Sequence, residues 1–113
     1  KTNFDPIRRR PTCFRELSHK EQQKLIAENP DYGEIICRCE NITRAEVLAA
    51  IRNPLGVDTL TGIKYRCRAM MGRCQGGYCQ TRIVELIMKE KEKPCEDIIY
   101  NRNGSNIFTG RVR

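Results

Sequence analysis

Two close cysteine pairs constrain this 113-residue chain more than any other feature. Cys37-Arg38-Cys39 is a C-x-C motif, Cys74 to Cys79 is C-x4-C, and residues 40–73 lie between them. In an extended segment, side chains two apart point to the same side, so both sulfurs of the first pair can reach one metal atom. The second pair brackets Gly76-Gly77, where missing Cβ atoms let the backbone approach sulfur closely. A helix starting near Cys79 would aim its unpaired N–H groups at the same place. Such donors stabilise thiolates and lower their pKa.

Two pairs, each serving one iron, are what a two-iron, two-sulfide cluster requires. Four thiolates on an oxidised core of charge about +2 leave a site near −2, and −3 when reduced. A small domain offsets that with nearby cations and hydrogen-bond donors. The chain has 21 Lys and Arg against 14 Asp and Glu, a net +7. Arg38, Lys64, Arg66, Arg68, Arg73 and Arg82 all fall near the motifs. Of these, Arg38 and Arg73, with Gly76 and Gly77, are the expected outer surroundings of the cluster. Zinc is the competitor, since structural zinc also takes four cysteines, usually as C-x2-4-C knuckles. Here the first loop is too tight and the second at the long limit, so the spacing favours the cluster. Four unbound, buried cysteines are the bland alternative.

The odd count of seven Cys lies below the density of a disulfide-built miniprotein. Lys1-Thr2-Asn3-Phe4 shows no signal-peptide core. The expected compartment is therefore a reducing cytoplasm, where clustered cysteines bind metal more often than they form disulfides. No apolar run approaches the roughly 18 residues of a membrane span. The chain has no initiator Met and reads as a piece of a longer polypeptide. Three Phe, four Tyr and no Trp exclude a large aromatic core.

The pattern predicts a mainly α, small helical domain of about four helices, with the cysteines in loops between an irregular N-terminal arm and a C-terminal tail. Ser18 and Glu21 form a capping box for a first helix carrying Leu25, Ile26 and Ala27, stopped by Asn29-Pro30. Glu34 to Cys39 is a short extended run. Thr43 and Glu46 cap a second helix, with Ile42 and Val47 as a hydrophobic staple and Leu48 and Ile51 on its buried stripe. A third helix is expected over 58–71, carrying Leu60, Ile63, Cys67, Met70 and Met71. A fourth is expected from about 79 to 91, burying Ile83, Val84, Ile87 and Met88. The tail around Asn103-Gly104-Ser105 is either a small hairpin or merely extended.

The segments Ile36-Cys37-Arg38-Cys39-Glu40, Thr43-Arg44-Ala45-Glu46 and Gly72-Arg73-Cys74-Gln75-Gly76-Gly77-Tyr78-Cys79 resemble the bacterioferritin-associated-ferredoxin-like 2Fe–2S domain. They are most similar to the version fused to the C-terminus of FAD-dependent oxidoreductases, among them anaerobic-type glycerol-3-phosphate dehydrogenases. The resemblance implies an all-helical fold around a cluster near the surface, with Cys37, Cys39, Cys74 and Cys79 as ligands. It implies residues 1–32 as a linker arm and first helix from a preceding flavin domain, 33–92 as the cluster domain and 93–113 as a tail. FAD would sit in the parent protein and not in this segment, which holds no catalytic residue of its own. The implied partners are the preceding FAD domain and a downstream acceptor protein or quinone-linked subunit, with membrane contact only through the latter.

Other residues have plainer readings. Cys67 is a small buried hydrophobe, and Cys13 and Cys95 are thiols without partner spacing. His19, the only histidine, falls in a capping box, so a Ser-His-Asp or Cys-His site has little to build on. Arg8-Arg9-Arg10 is a solvated run or a docking patch for an acidic surface. A basic helix-turn-helix is the other alternative, but the segment between the second and third helices is longer than the usual turn. No nucleic acid is expected.

Overall fold

The computed structural model describes residues 2–7, 9–110 and 112, so Arg8 of the basic run lies outside the described residues. Helix α1 covers His19–Glu28, α2 Arg44–Ile51, α3 Leu60–Cys67 and α4 Gln80–Lys91. Strands β1 (Ile35–Cys37) and β2 (Ile42–Thr43) pair antiparallel with an irregular register. The mainly helical expectation holds. None of the described helices is long and apolar enough to cross a membrane.

Both capping boxes form. Ser18 Oγ accepts from the Glu21 N–H while the Glu21 carboxylate accepts from the Ser18 N–H. Thr43 and Glu46 repeat the arrangement at α2. Each box satisfies two otherwise orphaned backbone groups, and a good cap is worth about 1 kcal/mol. The staple closes as well, with Ile42 and Val47 both buried. Helix α2 is central: Ala45, Val47, Leu48, Ala50 and Ile51 are buried against α3, α4 and the ribbon. Helix α4 adds Ile83, Val84, Leu86 and Ile87. A forked pair from Arg52 Nε and Nη2 to Glu90, at 2.7 and 2.9 Å, ties the end of α2 to α4.

Three elements depart from the sequence reading. Helix α1 buries nothing, and Ile26 is exposed. Its inner side, Gln22 and Leu25, is only half-buried, because it packs on the short turn 30–33 and not on the core helices. The third helix is shorter than 58–71. It ends at Cys67, where Arg68 takes a left-handed φ of 66°, and Met70 follows at 68°. Residues 68–73 thereby fold back toward the first cysteine turn. The tail takes the hairpin form, with Ile99 bridged to Asn106 and Ile98 wholly buried. Its strand straps the start of α3: the Leu60 and Thr61 N–H groups donate to the Ile99 and Tyr100 carbonyls at 3.3 and 2.9 Å.

Candidate metal centre

Two turns bring the four motif cysteines to one edge of the helical core. Cys37 closes β1 and Cys79 caps α4, each only 1% exposed. Cys39 and Cys74 are exposed, with their sulfurs 3.6 Å apart. Cys37 neighbours Cys79 on the buried side. The thiols thus meet across the two motifs, which departs from the extended C-x-C reading. Strand β1 stops at Cys37, and a turn with Asn41 at φ 52° carries Cys39 away from the ladder. Among the described residues no three His, Cys, Asp or Glu side chains sit close enough to hold a single metal ion. One zinc needs four donors within about 2.3 Å of one point. Two pairs suit a two-iron core better, because each iron there takes two protein ligands.

The backbone around the sulfurs is tightly built. A Cβ on Gly72 would lie 2.0 Å from Cys39 Cβ and 3.2 Å from its Sγ, so only hydrogen fits there. Gly76 has φ 89°, and Gln75 beside it has φ 47°. Asn41, Arg68, Met70 and Gln75 are four non-glycine residues in left-handed conformation, all within these turns. Each costs of order 1 kcal/mol or more, and such strain persists where its surroundings over-determine it.

The electrostatics differ between the exposed and buried thiols. Cys74 is held below the ordinary thiol range by the Tyr78 N–H first, then by the Cys39 thiol and the Gly76 N–H. Burial pushes Cys79 up to about 12, helped by the neighbouring Cys37 and opposed by the Met70 N–H. The buried side of the site by itself therefore favours a protonated thiol. A bound metal core supplies the positive charge that deprotonates such groups, with release of protons.

The six cations expected at the site divide. Arg38 stacks its guanidinium over the Tyr78 ring at 4.4 Å, and Arg82 lies 5.8 Å from the same ring while donating to the Ile35 carbonyl at 3.1 Å. Arg73 lies beside Cys74 in the second cysteine turn. Arg68 instead pairs with Glu40 at 3.2 Å, and with Arg66 it lines a cavity of about 320 Å³ between the arm and α2 and α3. Lys64 and Arg66 occupy the last turn of α3. The Cys67 thiol donates to the Ile63 carbonyl at 3.3 Å and is pushed up to about 11 by burial. Cys13 lines the same cavity, and the Cys95 thiol donates to Glu96. His19 contacts Gln23 on the surface of α1.

Sequence reasoning missed Gly72, the Met70 N–H, Tyr78 and Glu40. Gly72, two residues before Cys74, could have been singled out as a close-approach glycine. Glu40 had no local signal, because its partners Arg15 and Arg68 are 25 and 28 residues away.

The comparisons with known proteins converge on this region. The chain is 43% identical over all 113 residues to a glycerol 3-phosphate dehydrogenase of Caloramator mitchellensis, of which it covers 24%. It is 34% identical over 64 residues to one subunit of the anaerobic glycerol-3-phosphate dehydrogenase of Escherichia coli K12, a match spanning 57% of this chain and 12% of that protein. Over 85 residues it is 37% identical to an opine oxidase subunit of Agrobacterium tumefaciens, spanning 74% of this chain and 16% of that protein. The chain thus spans a quarter or less of the length of these relatives. No solved structure matches it. Residues 35–89, which contain both cysteine pairs, the ribbon, α2, α3 and most of α4, match the BFD-like [2Fe-2S] binding domain family.

Proposed function

We propose that this chain is an electron-transfer module whose 2Fe–2S cluster is held by Cys37, Cys39, Cys74 and Cys79. When bound, such a cluster takes up and releases one electron at a time. The observation that carries the reading is the meeting of two cysteine pairs from separate turns, with Cys39 and Cys74 sulfurs 3.6 Å apart and Gly72 making room for Cys39. The chain's own part is to position the thiols and direct the N–H groups of Gly76, Tyr78 and Met70 at sulfur. The buried side of the site also keeps water from Cys37 and Cys79.

In this reading residues 33–92 are the cluster domain, 1–32 the arm that follows a flavin domain, and 93–113 the strap. The module relays electrons between a reduced FAD in the parent polypeptide and an acceptor protein or quinone-linked subunit, in a reducing cytoplasm. Glycerol-3-phosphate is the proposed substrate of the parent enzyme. It rests on the relative that is 43% identical across the whole chain, arm and tail included. The test is anaerobic reconstitution with iron and sulfide. Two irons and two sulfides per chain, with visible absorption that bleaches on reduction, support the reading. A colourless protein holding one zinc overturns it.

A further inference from the structure

The arm does more than lead into the domain. Phe14 is buried, stacks on Tyr32 with centroids 5.9 Å apart, and donates its N–H to Glu46 Oε1 at 3.1 Å. That anchor places the next residue, Arg15, on the first cysteine turn. Arg15 Nη1 donates to the Glu40 carboxylate at 2.8 Å and approaches the Glu40 carbonyl at 3.4 Å. Glu40 directly follows Cys39. Arg68 reaches the same carboxylate from the other side at 3.2 Å. Two cations on one anion leave one net positive charge at the residue next to Cys39. One of those cations comes from the arm.

We infer that the arm is a redox-linked latch: Arg15, set on Glu40 beside Cys39, stabilises the reduced state of the site, and reduction in turn tightens the arm. The inference rests on the cluster reading above. Reduction adds one electron and one negative charge without making or breaking a covalent bond, so a nearby positive charge favours it. Coupling between two equilibria is reciprocal, so whatever arm docking contributes to reduction, reduction returns to arm docking. Without Arg15 the triad falls from one net positive charge to none. Both effects should then disappear together.

Two measurements on the cluster-loaded chain test this. The first is the midpoint potential of Arg15→Ala and Arg15→Lys, with Arg10→Ala as the control, since Arg10 pairs with Glu16 on the exposed arm. Arg15→Ala should lower the potential, Arg15→Lys should restore most of it, and Arg10→Ala should leave it unmoved. The second is hydrogen exchange of the Phe14, Glu16 and Leu17 amides, all bonded in the docked arm. Exchange should slow about fivefold in dithionite-reduced protein relative to oxidised, the low end of typical coupling because Arg15 is partly solvated. The difference should vanish in Arg15→Ala. An unmoved potential in Arg15→Ala, or equal exchange in both redox states, overturns the latch while leaving the cluster reading intact. A protein that takes up no iron and sulfide overturns both.

Discussion

Gly72→Ala is the sharpest perturbation available, because its effect is steric and it leaves all four cysteines in place. The added methyl would sit 2.0 Å from Cys39 Cβ, 3.2 Å from its Cα and 3.2 Å from its Sγ. Ordinary carbon–carbon contact begins near 3.5 Å, so the turns carrying residues 39 and 72 must separate by about 1.5 Å. Overpacking of this kind costs about 1–3 kcal/mol in the folded protein. The larger consequence is at the sulfurs. Cys39 and Cys74 stand 3.6 Å apart, and Cys74 moves with Gly72 because it is two residues away. A separation of about 1.5 Å would part the two sulfurs whose closeness the cluster reading needs. Gly56→Ala is the matched control: Gly56 has φ 73° with nothing within 4 Å of its added methyl, so it costs about 1 kcal/mol of backbone strain without a steric clash. The assay is iron and sulfide stoichiometry and visible absorption after anaerobic reconstitution, with thermal unfolding of the cluster-free proteins alongside. Gly72→Ala should fail to hold the cluster while remaining folded, and Gly56→Ala should load normally. Full loading of Gly72→Ala refutes the close-approach argument.

Serine at any of Cys37, Cys39, Cys74 or Cys79 should abolish or strongly destabilise the visible chromophore, whereas Cys13→Ser, Cys67→Ser and Cys95→Ser should keep it, as read by absorption and metal analysis. In cluster-free protein, Cys74 should be alkylated more than about tenfold faster than Cys79 near neutral pH, as mass spectrometry of a time course would show, since Cys74 is exposed with a lowered pKa and Cys79 is buried with a raised one. The cluster-free fold should also weaken in alkali. Below pH 9 the Cys67 thiol is protonated in both folded and unfolded states, but above it the unfolded chain ionises first, so stability falls until about pH 11. At about 1.4 kcal/mol per pH unit this amounts to roughly 3 kcal/mol from Cys67. Cys79, also raised, adds a similar slope, so Cys67→Ala should reduce the slope by about half between about pH 9 and 11 in denaturant melts taken at increasing pH.

Local signals in the sequence translated directly into structure. Ser18 with Glu21 and Thr43 with Glu46 are contiguous devices whose hydrogen bonds need only a few residues, and both boxes close. The cysteine spacing was legible for the same reason. What the sequence hid was non-local. The stop at Cys67 looked like mid-helix because Cys67, Met70 and Met71 keep helical spacing. The helix nonetheless breaks there, and Arg68 as its left-handed end is tied to Glu40, 28 residues earlier. The C-x-C pair looked extended because Ile35-Ile36-Cys37 is strand-like, yet the ribbon turns immediately after it. In α1 the capping box was sound, but a cap starts a helix without deciding what that helix buries.

The distribution of arginines has a physical logic that composition alone obscures. A site with two sulfurs in the core must stabilise negative charge in a place where an ion is costly to desolvate. Arginine could supply compensation, but a guanidinium driven into that pocket would carry its own desolvation penalty of several kcal/mol. Backbone N–H groups carry no such cost, since they are already part of the fold and need only be turned toward sulfur. The left-handed residues do this turning: Met70 at φ 68° directs its N–H at buried Cys79, and Gln75 and Gly76 shape the loop whose N–H groups reach Cys74. The guanidinium groups can then stay near solvent, Arg38 and Arg82 against Tyr78 and Arg15 and Arg68 on Glu40. Local backbone strain of a few kcal/mol thus replaces a buried cation. This accounts for strained non-glycine residues in the same turns as the cysteines, and for the arginines around them staying out of the core.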